Sequence, residues 1–275
     1  RAGGSYSVST PTLLGLPYDA ASSFMRGAAA GPAKIREALH SPAGNSWTEA
    51  LVDLGAAGVL QDAGDVRFSE SDDALLAIET AVERILANGG RPISLGGDHG
   101  VTYPIIRALR RYHPQLSILH IDAHGDLYDE FDGNRYSHAC AFARIMEAGL
   151  ADRLVQVGIR TMTGHQRAQA HRFGVVVSDM RAWYSGERPS VDGPVYLSID
   201  LDGIDPAFAP GVGHPEPGGL SVRDVIAMVQ SVAGPLVGAD IVELNPNVDP
   251  NDATARVAAK LVKEVVARMH TNNLP

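Results

Sequence analysis

The sequence predicts an α/β protein, a three-layer α/β/α sandwich built on a central, mainly parallel sheet. Short apolar runs that suit buried strands alternate with longer segments of helical periodicity along most of the 275 residues. No interdomain linker, internal repeat or low-complexity segment interrupts this alternation. We therefore expect residues 11–275 to form a single domain that follows an N-terminal tail, residues 1–10.

Each predicted strand is an apolar run bounded by turn-forming residues. These strands are Pro11–Pro17, Pro92–Leu95, Leu116–Ile121, Leu154–Ile159, Gly174–Val177, Val195–Ile199 and Val237–Leu244. The helices start near a proline or a capping residue, and their apolar side chains recur at spacings of three and four. They are predicted at Pro32–Leu39, Ser71–Gly89, Thr102–Arg111, His138–Ala148, His165–Arg172, Val222–Val232 and Asp252–His270. The stretch 48–66 fits either a helix or a strand.

Composition and charge narrow the classes of function. The net charge of −9 argues against a nucleic-acid-binding surface and favours a small cationic ligand. No apolar run approaches the roughly 20 residues of a membrane span, so we expect no membrane partner. A single cysteine, Cys140, fits a reducing compartment, and residues 1–10 lack a signal-peptide pattern. The sequence therefore predicts a cytoplasmic protein.

The predicted strand that ends at Ile121 is followed by three residues that can bind a metal ion. If the backbone stays extended through Asp122, His124 and Asp126, side chains two apart point to the same side. Carboxylates combined with imidazole suit hard divalent ions, Mn²⁺ among them. The alternative is a polar turn after a buried strand, where Asp and Gly are common.

Further polar groups follow other predicted strands, and the carboxyl ends of parallel strands meet at one edge of a sheet. These groups are His99, Asp200, Asp202 and Glu243. The four Asp side chains, Asp122, Asp126, Asp200 and Asp202, carry the charge that two divalent ions would neutralise. With His99 and His124 as neutral ligands, this set predicts a two-metal hydrolytic site. Taken singly, each residue also has an ordinary structural interpretation, such as a loop-starting Asp or a hydrogen-bonded turn histidine.

In this order, these residues resemble the ureohydrolase family of arginases, agmatinases and related guanidino-group hydrolases. The matching pieces are G-G-D-H at 96–99, D-A-H-G-D at 122–126, S-I-D-L-D-G-I-D-P at 198–206, P-A-F-A-P-G at 206–211, P-E-P-G-G-L at 215–220 and D-I-V-E-L-N-P at 240–246. The resemblance spans nearly the whole chain, and the stretch 126–147 looks closest to plant-type arginases.

The resemblance implies two Mn²⁺ ions per chain. One ion would be bound by His99, Asp122, Asp126 and Asp200, and the other by His124, Asp122, Asp200 and Asp202. It also implies that His138 shuttles protons and that Glu243 pairs with the substrate guanidinium. His138, Asp126 and Glu243 are thus the predicted catalytic residues. The family commonly forms trimers or hexamers, so a homo-oligomer is expected.

This sequence departs from the pattern of the family at the place where the tail of the substrate would bind. Some arginases place an Asp shortly after a G-[IL]-R strand end, whereas this chain reads Arg160-Thr161-Met162-Thr163. The candidate contacts to the substrate, besides Glu243, are His214, Asn134, Ser137 and Asp129. The function implied is hydrolysis of arginine or a close analogue such as N-hydroxyarginine, giving an amine plus urea or hydroxyurea. The alternatives are hydrolysis of agmatine, of a guanidino acid or of a formimino group, or a non-catalytic, metal-stabilised binding protein.

Overall fold

The computed structural model describes residues 9–69 and 73–271, and these residues contain one eight-stranded sheet. All of its strand pairings are parallel, in the order β2-β1-β3-β8-β7-β4-β5-β6. The strands are β1 Pro11–Leu16, β2 Gln61–Asp65, β3 Arg91–Gly96, β4 Ser117–Ile121, β5 Arg153–Ile159, β6 Val176–Asp179, β7 Val195–Asp200 and β8 Leu236–Val242. Most of the predicted tail, residues 1–8, lies outside the described residues.

Helices connect the strands and cover the sheet. They are α1 Gly31–Leu39, α2 Ala74–Ala87, α3 Thr102–Tyr112, α4 Ala141–Glu147, α5 Gly164–Phe173, α6 Met180–Tyr184, α7 Val222–Ser231 and α8 Ala253–Thr271. The predicted cap of α2, Ser71, lies outside the described residues. The side chain of Asp73 caps this helix instead, because it accepts hydrogen bonds from the backbone N–H groups of Leu75 and Leu76. None of the described helices is long and apolar enough to cross a membrane.

Successive side chains of each strand point to opposite faces of the sheet, and each face has its own apolar cluster. On one face, residues such as Ile121 pack with α1, α7 and α8. On the other face, residues such as Ile118 pack with α2, α3 and α4. The three-layer α/β/α sandwich predicted from the sequence is therefore confirmed, with every strand of the sheet parallel.

The sequence left β2 open, because it lies in the stretch 48–66 that fits either a helix or a strand, and it did not predict α6. Strand β2 has the sequence Gln-Asp-Ala-Gly-Asp, and all five residues are exposed, so it carries no apolar pattern. It is an edge strand paired only with β1, and Arg36 on α1 holds it by ion pairs to Asp62 and Asp65. Helix α6 has only five residues and follows β6 directly, with Asp179 as its cap.

Candidate metal centre and active site

The strands that precede the predicted site residues are neighbours in the middle of the sheet, in the order β3-β8-β7-β4. Their carboxyl ends therefore open into one crevice, as expected for an open parallel sheet. Three of them lead into the loops that contain His99, Asp122 and Asp200, and β8 leads to Glu243. The sheet thus gathers side chains that are up to 144 positions apart in the sequence.

The six predicted metal ligands lie together in this crevice, in two groups that share Asp122. In the first group, His99 Nδ1 lies 3.2 Å from Asp122 Oδ2, 3.1 Å from Asp126 Oδ2 and 3.1 Å from Asp200 Oδ2. In the second, His124 Nδ1 lies 3.1 Å from Asp202 Oδ2 and 3.3 Å from Asp122 Oδ1. The first group contains the four residues of the first predicted ligand set, and the second contains three of the four residues of the second set, without Asp200.

The backbone does not reach this arrangement in the way we expected. It is not extended through Asp126, because β4 ends at Ile121 and Asp126 has a φ of 47°. The carboxylate of Asp122 accepts a hydrogen bond from the backbone N–H of His124 at 2.5 Å, which turns the chain at once. The loop then curls back, so that Asp126 reaches His99 from the other side of the turn.

The electrostatics of the cluster favour a bound cation. Asp122, Asp200 and Asp202 are almost fully buried, and buried carboxylates without compensation are costly. Burial, followed by the charges of Asp202 and Asp122, raises the pKa of Asp200 well above its ordinary value. Burial and the charge of Asp122 likewise raise the pKa of Asp202 to about 6. A set of crowded carboxylates with imidazole nitrogens beside them fits a hard divalent metal ion.

His120, on β4, contributes to the same cluster. Its Nε2 lies 2.7 Å from Asp122 Oδ2, and its Nδ1 lies 3.0 Å from Gln156 Nε2. His120 therefore holds the carboxylate of Asp122, a predicted ligand, in position by a hydrogen bond. The spacing of two residues between His120 and Asp122 was the signal in the sequence that could have indicated this contact.

His138 and Glu243 form a buried pair next to the metal cluster. His138 Nδ1 lies 3.0 Å from Glu243 Oε1, which also accepts a hydrogen bond from the backbone N–H of His99. Burial disfavours the imidazolium, but the hydrogen bond and charge of Glu243 outweigh it and raise the pKa of His138 to about 9. Burial also opposes ionisation of Glu243, yet the bond from His138 lowers the pKa of Glu243 below its ordinary value. The pair therefore combines an ionised carboxylate, Glu243, with a protonated imidazole, His138.

The candidate residues for the substrate tail have different contacts in the structure. The His214 ring lies 6.0 Å from the His124 ring and 5.2 Å from the His138 ring, so it belongs to the site. Asn134 Oδ1 instead accepts from the backbone N–H of Tyr136. Asp129 pairs with Arg135 and Arg144.

One segment of the site, Asp19–Gly27, gave no functional signal in the sequence beyond a loop of small residues. The backbone carbonyl of Ala21 accepts from the N–H of His138 at 3.1 Å and from the Ser137 hydroxyl at 3.4 Å. Ser23 Oγ lies 2.9 Å from His138 Nε2. These contacts bridge 115 or more positions, so no local pattern could have revealed them.

The model of the arginase family matches residues 9–267. Mitochondrial arginase 1 of Arabidopsis thaliana is 46% identical over 94% of this chain and 80% of its own length. The mitochondrial arginase of Medicago truncatula is 45% identical over 94% of this chain and 82% of its own length. The solved structure of arginase from Medicago truncatula has a TM-score of 0.91 and 44% identity, covering 95% of this chain and 88% of that one.

These relatives correct one expectation. The single cysteine and the lack of a signal-peptide pattern in residues 1–10 predict a cytoplasmic protein. The two plant relatives are both named mitochondrial, so that prediction is wrong. Neither cysteine content nor a missing secretory signal distinguishes the cytoplasm from a reducing organelle, which explains the error.

Proposed function

We propose that this chain, which belongs to the arginase family, hydrolyses arginine to ornithine and urea at the crevice described above. The observation that carries the proposal is the buried cluster of four carboxylates and two imidazoles beside the His138–Glu243 pair. The cluster can hold divalent cations, and the pair offers a carboxylate for a guanidinium and a proton for a leaving amine. Water supplies the oxygen of urea, and the amine nitrogen receives a proton.

We further propose that the metal is manganese and that each chain holds two ions. One would be bound by His99, Asp122, Asp126 and Asp200, and the other by His124, Asp122, Asp200 and Asp202. When bound, such ions supply a hydroxide nucleophile at neutral pH and stabilise the charge that develops on attack. Carboxylate-rich ligand sets with imidazole suit Mn²⁺, which supports this assignment.

Glu243 is the proposed receptor for the guanidinium group. A guanidinium is planar and keeps its charge at all physiological pH values, so it is best held by a carboxylate that accepts two of its N–H groups. Glu243 is buried and has a lowered pKa, with His138 as its partner among the described side chains. Its backbone has a positive φ of 68°, and its Oε1 also accepts a hydrogen bond from the backbone N–H of His99.

His138 is the proposed proton donor to the departing nitrogen. An alkylamine leaves poorly as an anion, so C–N cleavage needs an acid within hydrogen-bond reach. The raised pKa of His138, about 9, keeps the imidazole protonated near neutral pH in the free enzyme. Ser23 Oγ lies on the opposite ring nitrogen, which holds the imidazole plane in one orientation.

For the substrate tail we propose His214 as the main contact, because its ring lines the crevice beside His124 and His138. Ser137, Asn134 and Asp129 stay as proposed tail contacts through the loop that precedes His138. A second candidate substrate, a guanidino compound without an α-amino group such as agmatine or guanidinobutyrate, is favoured by one feature. Residues 160–163 carry no carboxylate where some arginases place one for the amino group.

The test is urea release after loading with Mn²⁺, on arginine, N-hydroxyarginine, agmatine and guanidinobutyrate in parallel. We expect arginine to have the highest kcat/KM and the chelated protein to release no urea. A higher kcat/KM for agmatine or guanidinobutyrate would select the second candidate. Absence of urea from all substrates in a metal-loaded protein would overturn the proposed function. Light scattering on the same sample tests the proposed trimer or hexamer.

A further inference from the structure

A fifth buried carboxylate lies beneath the proposed metal centre and outside its ligand set. Asp240, on β8, has 0% exposure. Its Oδ2 accepts hydrogen bonds from Thr102 Oγ1 and Tyr196 OH, and its Oδ1 accepts one from Ser198 Oγ, each at 2.7 Å. Bonds of this length are typical of hydroxyls that donate to a charged acceptor. Asp240 is therefore held by three donors and is not free to bind a metal.

Ser198 connects this carboxylate to the metal centre. Its Oγ lies 2.9 Å from Nε2 of His99. A hydroxyl has a single hydrogen, and Ser198 donates it to Asp240, so its oxygen can only accept from the imidazole. Nε2 of His99 must then carry a hydrogen. The other ring nitrogen, Nδ1, is the one that lies 3.1–3.2 Å from the carboxylates of the cluster.

The register of the sheet explains why these groups meet. Asp240 lies directly opposite Ser198 on β7 and directly opposite Ser94 on β3, in parallel pairings. Both serines are fully buried. Among the described residues, the Ser94 hydroxyl has no hydrogen-bond partner, whereas Ser198 contacts both Asp240 and His99. Of the two serines that flank Asp240, only Ser198 links it to the site.

We propose that Asp240 is a positioning residue for the metal centre, which acts through Ser198 to keep the hydrogen of His99 on Nε2. The lone pair of Nδ1 is then directed at the place where the carboxylates converge, which is the form of the imidazole that a metal ion requires. The inference rests on the proposed metal site. It assigns no chemical step to Asp240, since this residue contacts neither the substrate region nor the proposed ligands directly.

The test is the Mn²⁺ affinity of the full chain, measured by equilibrium dialysis for three proteins. These are the wild type, Ser198→Ala and the matched control Ser94→Ala, which removes the same atom from the other neighbour of Asp240. Losing the partner of a metal-binding histidine typically costs about 10–100-fold in metal affinity. We expect that loss for Ser198→Ala, and an affinity within about twofold of wild type for Ser94→Ala.

A second variant guards against a folding defect in the first. In Asp240→Asn, the new amide N–H₂ can donate to Ser198, whose hydrogen then turns toward Nε2 of His99 and favours the wrong tautomer. We expect at least the same loss of Mn²⁺ affinity. The melting temperature of the metal-free proteins, measured alongside, reports any purely structural effect. The ring ¹⁵N shifts of the zinc-loaded proteins should show a protonated Nε2 on His99 only where the Asp240–Ser198 link is intact.

The outcomes separate the inference from the proposal on which it depends. A wild type that binds no Mn²⁺ would overturn the proposed metal site, and the inference with it. A wild type that binds Mn²⁺, with Ser198→Ala and Asp240→Asn equally tight, would overturn the inference alone. Equal losses in Ser198→Ala and Ser94→Ala would also overturn it, because packing and not the link to His99 would then be responsible.

Discussion

Replacing Glu243 by Gln removes the negative charge that lies 3.0 Å from His138 Nδ1 and keeps the size of the side chain. In the native protein this charge outweighs burial and raises the pKa of His138 from 6.5 to about 9. In the variant, burial lowers the pKa of His138 and only the charges of Asp126 and Asp98 still raise it, so this pKa should fall from about 9 toward 6.5. The difference between 9 and 6.5, about 2.5 in pKa, corresponds to about 3 kcal/mol at 1.36 kcal/mol for each tenfold change.

The direction of the pH dependence follows from the raised pKa in the folded state. The stabilisation is fully present below the unfolded pKa of 6.5 and is lost as the pH rises through about 9. Wild type should therefore lose up to about 3 kcal/mol of unfolding free energy relative to Glu243→Gln across that window, and less where the charges of Asp126 and Asp98 keep the pKa of His138 raised in the variant. Urea denaturation of both metal-free proteins at several pH values between 6 and 9.5 measures this difference, and an NMR titration of the His138 ring gives its pKa directly.

Two results would refute this reasoning. One is a His138 ring in Glu243→Gln that still titrates near pH 9. The other is a stability difference between wild type and variant that does not change across the window. Glu187→Gln is the charge-matched control, because Glu187 is an exposed carboxylate outside the site. It should leave the His138 titration unchanged. If Glu243 also binds the guanidinium group of the substrate, Glu243→Gln should keep its metal ions, and its kcat/KM should fall strongly because the carboxylate charge is lost.

Three other predictions concern the proposed metal centre and its acid. Asp200→Ala should lose at least one ion per chain and nearly all urea release, and elemental analysis showing full occupancy would contradict the ligand assignment. His138→Asn should keep both ions and lower kcat by about 10²–10⁴-fold, the usual contribution of a general acid; metal loss in this variant would assign His138 a structural role. Removing metal with a chelator should lower the melting temperature, because ions that bind only the folded chain stabilise it. An unchanged melting temperature would argue against a buried metal centre.

The sequence predicted those parts of the fold in which apolar side chains are buried and polar side chains face the solvent. The central strands are continuous apolar runs because helices cover both faces, and all seven strands predicted in this way lie within a few residues of their observed positions. Strand β2 lies in the stretch that the sequence left open between helix and strand, because its residues are exposed and polar. Its position depends on backbone pairing with β1 and on Arg36, which is 26 residues away from Asp62. Hydrophobic periodicity carries no information about a strand of this kind.

The candidate site likewise contains residues that the sequence could indicate and residues that only the folded structure could. The metal ligands could be predicted because Asp and His at strand ends have few ordinary reasons to occur together. Ser198 and Asp240 were overlooked because a serine and an aspartate inside apolar strands show no pattern by themselves. Their role depends on the register of β7 and β8, which places them side by side. Ser23 lies 115 positions from its partner His138, and only the folded chain brings the two together.

Two glycines show what the matched motifs contain besides ligands. A Cβ on Gly97, in the G-G-D-H stretch, would lie 1.7 Å from the backbone carbonyl oxygen of Tyr18. A Cβ on Gly203, one residue after Asp202, would lie 2.8 Å from the backbone nitrogen of Asp122. In both places, another segment of backbone passes where a side chain would otherwise be. The loops that carry Asp122 and Asp202 can therefore approach within bonding distance of a shared histidine only because position 203 has no side chain. The ligands supply the negative charge of the proposed metal centre, and the two glycines allow the loops that carry these ligands to approach one another closely.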